Sequence, residues 1–208
     1  MTIIRCFSLT GLYLLFSPPI VTAQESFGEG THLVGSDIQP GIYQTNGEIT
    51  YFERLSGLTG EFSDIIANEA SPPIPVLIEI KEDDVAFNSQ GPGIWLRIDD
   101  SYNPEIKTSF DDGWWIVGVD IEPGLYRTTD EVRYYARLSD VSGDFSAIIA
   151  NEASTSGPAI IRINESDFAF QSSGDVLWSL IDDSYQPELR TSFDDGWWIV
   201  GVDIQPGV

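Results

Sequence analysis

Residues 114–126 of this 208-residue chain read WWIVGVDIEPGLY. The segment joins two runs of aromatic and branched aliphatic residues through a short stretch that contains Gly, Asp and Pro. This pattern is typical of two short β-strands joined by a turn. Pro123 would fix φ and Gly124 would supply a positive φ, so we expect the turn at this pair, as at Pro40-Gly41.

The segment returns at a fixed spacing of 83 residues, as THLVGSDIQPGIY in residues 31–43 and as WWIVGVDIQPGV in residues 197–208. Residues 27–109 and 110–192 align without a gap and are identical at more than half of their positions. The repetition predicts a domain over residues 24–109, a second over 110–192 and a truncated third repeat over 193–208. That third segment either docks on the second domain or begins a further unit, and the sequence leaves both open.

Each full repeat contains short segments rich in strand-forming residues, and no segment shows a sustained helical period. In the second repeat we expect strands at residues 114–119, 125–128, 133–138, 159–163, 168–172 and 176–181. Six or seven strands in 83 residues predict an all-β fold, with two tandem antiparallel sandwich or barrel-like domains.

The chain carries 33 acidic and 10 basic residues, a formal net charge of −23. This balance argues against nucleic-acid binding, because phosphate backbones are held by clustered Lys and Arg. The 42% hydrophobic and 12% aromatic content argues equally against a disordered acidic tail. The composition therefore indicates an acidic globular protein.

The first 23 residues have the pattern of a secretory signal peptide. Arg5 precedes an apolar run from Cys6 to Phe16, and Val21 and Ala23 place small residues before a cleavage site at Gln24. We expect a secreted product, extracellular or periplasmic, with no membrane insertion after cleavage. Cleavage would remove Cys6, which is the only cysteine, so no disulfide or thiol chemistry is expected.

The sequence offers little for catalysis. His32 aligns with Trp115 and Trp198 in the other repeats, and tryptophan cannot replace a general base or a metal ligand. Paired aspartates could in principle hydrolyse a glycosidic bond, but adjacency alone does not place two acids across a cleft. We therefore expect a protein that is not an enzyme and that needs no organic cofactor.

The motifs WIVGVDIEPGLYRT (115–128), YYARLS (134–139) and IIAN (148–151) resemble a tandem repeat module of secreted bacterial proteins and lipoproteins. The resemblance covers both full repeats and implies a module with no assigned catalytic activity. It also implies a pair of cysteines in each unit, at positions that here hold Thr50 and Pro92, and Arg133 and Asp175. Each unit therefore lacks that staple and depends more on its core and on contacts between units.

Aromatic residues are the first candidates for ligand binding. Trp115 and Trp198 could present indole faces to a sugar ring or a protein partner. On one face of a strand, Phe52 precedes Arg54 and Tyr135 precedes Arg137, so that each guanidinium could lie over the neighbouring ring. Ordinary packing of these residues in a sheet or between units is the alternative.

Aspartate pairs at the two junctions between repeats are the second candidates. Carboxylates in loops suit Ca²⁺, which takes six to eight oxygen ligands, and these pairs are Asp99, Asp100, Asp111, Asp112, Asp182, Asp183, Asp194 and Asp195. The spacing matches no EF-hand loop. A solvated acidic linker, or adaptation to a saline habitat, explains the same charge.

The sequence thus predicts a secreted, non-enzymatic interaction module whose partner is an extracellular protein or a polysaccharide, with no nucleic acid involved. A carbohydrate-binding protein that uses exposed aromatics and a calcium-rigidified structural repeat protein are the alternatives.

Overall fold

The computed structural model describes residues 25–182 and 185–207. The predicted signal peptide lies outside the described residues. Domain 1 contains eight strands: β1 (Ser26–Phe27), β2 (Gly30–Leu33), β3 (Gly41–Asn46), β4 (Tyr51–Leu55), β5 (Ile65–Ala70), β6 (Leu77–Ile80), β7 (Ala86–Gln90) and β8 (Ile94–Arg97).

Domain 2 repeats this plan: β9 (Ser109–Phe110), β10 (Gly113–Ile116), β11 (Gly124–Glu131), β12 (Tyr134–Leu138), β13 (Ile148–Ala153), β14 (Pro158–Ile163), β15 (Ala169–Ser173) and β16 (Trp178–Leu180). A short 3₁₀ turn precedes β5 at Phe62–Asp64 and β13 at Phe145–Ala147.

Each domain is a sandwich of two four-stranded antiparallel sheets. In domain 1 the strand orders are β1-β8-β3-β6 and β2-β7-β4-β5, and in domain 2 they are β9-β16-β11-β14 and β10-β15-β12-β13. Aromatic side chains from both sheets meet in the core, where Trp95 and Trp178 are fully buried. Trp95 contacts Phe52 and Phe87 edge-on. Trp178 contacts Tyr135 and Phe170 in the same way. The predicted all-β tandem fold is confirmed.

The structure corrects two details of the expected strands. Residues 148–153, which read IIANEA, form β13 although Ala, Asn and Glu are poor strand formers. Pairing with β12 along its whole length decides the conformation of this segment. The strand from Trp114 ends at Ile116, because the Asp120 carboxylate accepts a hydrogen bond from the Ile116 N–H at 2.8 Å and closes a turn.

The expected turn glycine is also different. Gly118 has a positive φ, at +78°, whereas Gly124 does not and is the first residue of β11. Gly35 and Gly201 repeat the conformation of Gly118 with φ of +81° and +82°. Gly41 of the first unit does have a positive φ, at +154°, but it too is the first residue of its strand, β3. The turn therefore precedes the Pro-Gly pair and is built from the aspartate of the motif.

The two domains share one core. The hydrophobic cluster of domain 1 continues into domain 2, through Trp114, Ile116, Ala136, Leu138, Val141 and Ala169. On β12 the side chains of one face pack against domain 1, and Tyr135 on the other face packs inside domain 2. Both faces of β12 are therefore covered over most of its length, and Tyr135, Ala136 and Leu138 are buried on it.

Backbone hydrogen bonds join the domains at the free edge of β6 and in the loop before it. The Glu79 N–H donates to the Val141 carbonyl at 2.9 Å, and the Trp114 N–H donates to the Pro75 carbonyl at 2.6 Å. An edge strand with unpaired backbone groups is prone to aggregation. Domain 2 covers this edge of domain 1.

The contact at Pro75 recurs at the next junction. The backbone N–H of Trp197 donates to the Pro158 carbonyl at 2.8 Å. Trp197 and Pro158 are the residues equivalent to Trp114 and Pro75. Residues 185–207 thus sit on domain 2 as the start of domain 2 sits on domain 1. Trp114 is only 6% exposed, whereas Trp197 is 53% exposed. Trp114 lies in a four-stranded sheet with β12, β13 and β15, and the described residues that follow Trp197 form no such sheet around it.

Arg54 is buried between the domains and should be central to their stability. Its guanidinium pairs with the Asp84 carboxylate through Nε and Nη2, each at 2.7 Å, and donates from Nη1 to the Ser142 carbonyl of domain 2 at 2.6 Å. Substituting Arg54 with Met leaves Asp84 charged and buried, which costs about 3–5 kcal/mol in such cases. Urea denaturation monitored by circular dichroism will measure this loss.

Arg137 is the matched control for Arg54. It forms the equivalent pair with Asp167, but its side chain is 15% exposed. Arg137→Met should therefore cost less than Arg54→Met. Equal losses would contradict a special role for Arg54 at the junction.

Gly143 tests how closely the domains approach each other. A Cβ at Gly143 would lie 2.8 Å from the Ala67 Cβ, whereas a Cβ at the equivalent Gly60 meets nothing within 4 Å. Both glycines have φ of +79°, so alanine at either position carries the same backbone strain of about 1–2 kcal/mol. Only Gly143→Ala adds a clash, and its thermal midpoint should fall several degrees below that of Gly60→Ala. Coincident midpoints would show that the junction yields without cost.

Candidate functional site

A cleft of about 250 Å³ lies at the junction of the two domains. Strands β4 and β5 of domain 1 form one wall, and β10, β12, β15 and the loop after β12 form the other. Its lining combines aromatic rings with three acids, and includes Phe52, Glu69, Trp114, Tyr134, Leu138, Asp140, Asp144, Phe145 and Gln171. Both domains contribute, so the cleft exists only in the docked pair.

Trp114 supplies the first notable group of the cleft. Its indole N–H is buried and has no hydrogen-bond acceptor, and it is the one such side-chain atom in the described part of the chain. The other two buried core indoles have partners: Trp95 donates to Ser89 and Trp178 to Ser172, each at 2.8 Å. A buried donor without an acceptor costs about 1–3 kcal/mol.

Glu69 supplies the second notable group of the cleft. It lies on β5, and the Gln171 amide of β15 donates to its Oε1 at 3.3 Å across the junction. Burial raises the pKa of the Glu69 carboxyl to about 7, because desolvation disfavours the ionised form. Among the described residues no Lys, Arg or His forms an ion pair with it.

The other acids of the cleft differ from Glu69. Burial favours the neutral form of Asp140, but hydrogen bonds from Ser142 and the nearby charges of Lys81 and Arg54 bring its pKa below the usual value. Asp144 is exposed at the rim. Burial raises the pKa of Tyr134, and the charge of Glu69 adds to the shift. Glu69 is thus the acid whose charge is least compensated.

Phe145 stands at the mouth of the cleft with 91% of its surface exposed. Its equivalent in domain 1, Phe62, is 93% exposed. Each is the first residue of the 3₁₀ turn in its domain, which lies between β4 and β5 in domain 1 and between β12 and β13 in domain 2. A fully exposed phenylalanine at the same place in two units contributes nothing to a core and suits a contact with a partner.

The ring at the position of Trp115 and Trp198 has a structural role. Trp115 donates its indole N–H to the Asp111 carbonyl and Trp198 to the Asp194 carbonyl, both at 3.0 Å, and Nε2 of His32 lies 3.1 Å from the Gly28 carbonyl. The same contact, four residues back along the chain, thus recurs in all three units. Imidazole and indole can exchange here because both offer a ring N–H at this point.

Cations cover the two indoles from the solvent side. Lys107 Nζ lies 4.5 Å from the centre of the Trp115 ring, and the Arg190 guanidinium lies 4.9 Å from that of Trp198. Ligand binding by Trp115 and Trp198 stays a prediction, and it would require these cations to move.

The four residues of the expected aromatic–arginine pairs all make structural contacts. Phe52 and Tyr135 are buried in their cores, and Arg54 and Arg137 extend to Asp84 and Asp167. The arginines are therefore held by carboxylates. Ligand binding by these four residues stays a prediction. Of these residues, only Phe52 lines the cleft.

The structure does not gather the predicted calcium ligands. Within residues 25–182 and 185–207, no three acidic, His or Cys side chains are close enough to hold a metal. Asp99 accepts from the N–H and hydroxyl of Ser101, which lowers its pKa. Asp112 accepts from the N–H of Gly174 and of Asp175.

The remaining acids of that set that the structure describes lie apart from the cleft. The Asp194 carbonyl holds Trp198, and the Asp195 carbonyl lies against Gly157. Asp100, Asp111 and Asp182 lie in the junction loops, and Asp183 lies outside the described residues. Calcium binding stays a prediction.

A larger depression of about 980 Å³ lies between domain 2 and residues 185–203. Two of its charged groups pair with each other: Arg127 pairs with Asp203 and also contacts the Tyr185 hydroxyl. The cleft between domains 1 and 2 holds the buried Trp114 N–H and the Glu69 carboxyl, and it is the better candidate. Glu69, Trp114 and Phe145 were not singled out as ligand residues from the sequence. In the sequence, only the replacement of Thr31 by Trp114 and Trp197 in the later units indicates a role at the junctions between units.

Taken together, the fold and the junction define a tandem-repeat β-sandwich protein whose two repeats share a core. A family model described as the Rv1352-like extracellular domain matches residues 24–96 and again residues 107–179. The chain belongs to this family and contains two copies of its extracellular domain. No curated protein and no solved structure matches the chain. Among the described residues, no helix is long and apolar enough to span a bilayer.

The pKa of Glu69 makes a prediction about stability. The unfolded chain titrates this carboxyl near 4.5 and the folded protein near 7, so ionisation opposes folding. Stability is greatest below the unfolded pKa and falls as pH rises through the folded pKa, by about 3 kcal/mol in total. Urea denaturation of the wild type and of Glu69→Gln between pH 4 and pH 8 should show this loss only in the wild type.

Glu152 is the matched control, since it is the equivalent acid of domain 2 and accepts from the Tyr135 hydroxyl. Glu152→Gln should keep the pH dependence that Glu69 causes. If Glu69→Gln also keeps it, then Glu69 is not the group that titrates.

Proposed function

We propose that this protein is a non-enzymatic extracellular binding module and that its ligand site is the cleft between domains 1 and 2. The buried Trp114 N–H without an acceptor carries the proposal. Nearly all buried polar groups in proteins have a hydrogen-bond partner, and this one lines a cleft large enough for a small ligand.

The build of the cleft supports binding. Apolar and aromatic walls with a few convergent polar groups are the usual composition of a ligand site. The residues that form it come from two domains that share a core, so the cleft is preformed and its walls are fixed. A rigid site loses less entropy on binding.

The chemistry of the cleft supports binding over catalysis. Glu69 and Asp140 are its half-buried acids, and neither is placed beside a nucleophilic Ser, Thr, Cys or His in the lining. The family is one of extracellular domains, which agrees with a secreted or cell-surface binding role.

A panel of small probes that each carry an oxygen acceptor will test the proposal. Benzyl alcohol, methyl β-glucoside, N-methylacetamide and Nα-acetyl-lysine methylamide are compared by saturation-transfer difference NMR on the whole protein. We expect transfer to at least one probe, and we expect Trp114→Phe, which keeps the ring but loses the N–H, to weaken it up to about tenfold.

Trp197→Phe is the matched control, since Trp197 is the equivalent residue of the following unit and lies outside the cleft. It should leave the transfer unchanged. Transfer to no probe, or equal loss in both variants, contradicts a site at Trp114. Transfer to methyl β-glucoside that is lost in Trp115→Ala, but kept in Trp114→Phe, would instead favour carbohydrate binding at the exposed aromatics.

A further inference from the structure

The charge of the cleft limits what it can bind. Glu69, Asp140 and Asp144 line it, and its lining residues include no Lys, Arg or His. Lys81 and Arg54 act on Asp140, but no cation accompanies Glu69 in the described chain. The chain as a whole carries −23. An anionic ligand would be repelled, whereas a cation would supply the charge that Glu69 lacks.

The rings of the cleft suit the same kind of ligand. Trp114 and Tyr134 line it, and Phe145 stands at its mouth. The faces of aromatic rings attract cations, most strongly where water is excluded. The chain already holds Lys107 over Trp115 in this way.

We propose that the cleft binds an organic ammonium group on an apolar stem, with Glu69 as its counter-ion and Trp114, Tyr134 and Phe145 around it. This inference rests on the proposed function of the cleft. A volume of about 250 Å³ admits a group of the size of a lysine side chain. A peptide lysine and a free alkylamine share this chemistry, and the experiment separates them.

Binding of such a cation depends on pH through Glu69. The Gln171 amide donates to this carboxyl, Tyr134 lies near it, and Asp140 and Asp144 line the same cleft. On the strand side, residue Glu69 is paired with Phe52 of β4. Its pKa is raised to about 7, so at low pH it is neutral and attracts no cation. A bound ammonium favours the ionised form and displaces the proton, and affinity should rise about tenfold from pH 6 to pH 8.

Titration calorimetry on the whole protein tests the inference at pH 6, 7 and 8. The probes are Nα-acetyl-lysine methylamide, its neutral Nε-acetylated form, and n-butylamine. We expect the lysine derivative to bind about tenfold more tightly at pH 8 than at pH 6, with proton release, and its neutral form to bind at least tenfold more weakly at pH 8. If n-butylamine binds as tightly as the lysine derivative, the free amine is sufficient for binding. If it binds much more weakly, the ligand is a peptide lysine, whose amide groups add contacts.

Two glutamine variants complete the design. Glu69→Gln should lower the affinity at pH 8 to its level at pH 6 and remove the pH dependence, whereas Glu152→Gln should change neither. If the neutral derivative binds as tightly as the charged one, the ammonium inference is overturned and the cleft remains a binding site. If neither ammonium probe binds but another member of the panel contacts Trp114, the ammonium inference alone fails. If no probe of either experiment binds, the proposed function fails with it.

Discussion

The structure depends on the docking of one repeat against the free edge of the repeat before it. Backbone hydrogen bonds join domain 2 to Glu79 on the edge strand β6 and to Pro75 in the loop before it. The side chain of Trp114 packs into the core of domain 1 beside them. Without this contact β6 would present unpaired backbone groups to solvent, and Arg54 would lose its third hydrogen bond. Cores that merge across a junction make the two domains one cooperative body, in the way that stacked repeats stabilise one another.

The cleft follows from the same docking. Two convex sandwiches cannot meet without leaving space beside the contact, and here that space is lined by residues that each domain would otherwise expose. Glu69 is half-buried only because domain 2 covers it, and this burial raises its pKa. Trp114 is buried only because domain 1 receives it. A site at a junction of this kind belongs to the tandem pair, since neither repeat alone contains both groups.

The residues that recur in each repeat serve structure more than ligand binding within the unit. The aspartate of the DI-x-PG motif closes a turn by accepting from Leu33, Ile116 and Ile199 in the three units. In the linker, Tyr102 donates to Asp120 and Tyr185 donates to Asp203, at equivalent positions. These hydrogen bonds hold the entry into each new unit at a fixed angle. Much of the periodic acidity thus has a local structural use.

The sequence by itself determined the all-β class, the period of 83 residues and the tandem order, because strand patterns and repetition are local properties of the chain. It also predicted the two-faced pattern of β12. It could not predict that both faces would be buried, or that Arg54 would pair with Asp84 at a distance of 30 residues. Nor could it place Glu69 beside Trp114 and Phe145. Those facts arise where two domains meet, and residues far apart in the chain acquire a common environment only when tertiary contacts exclude water between them.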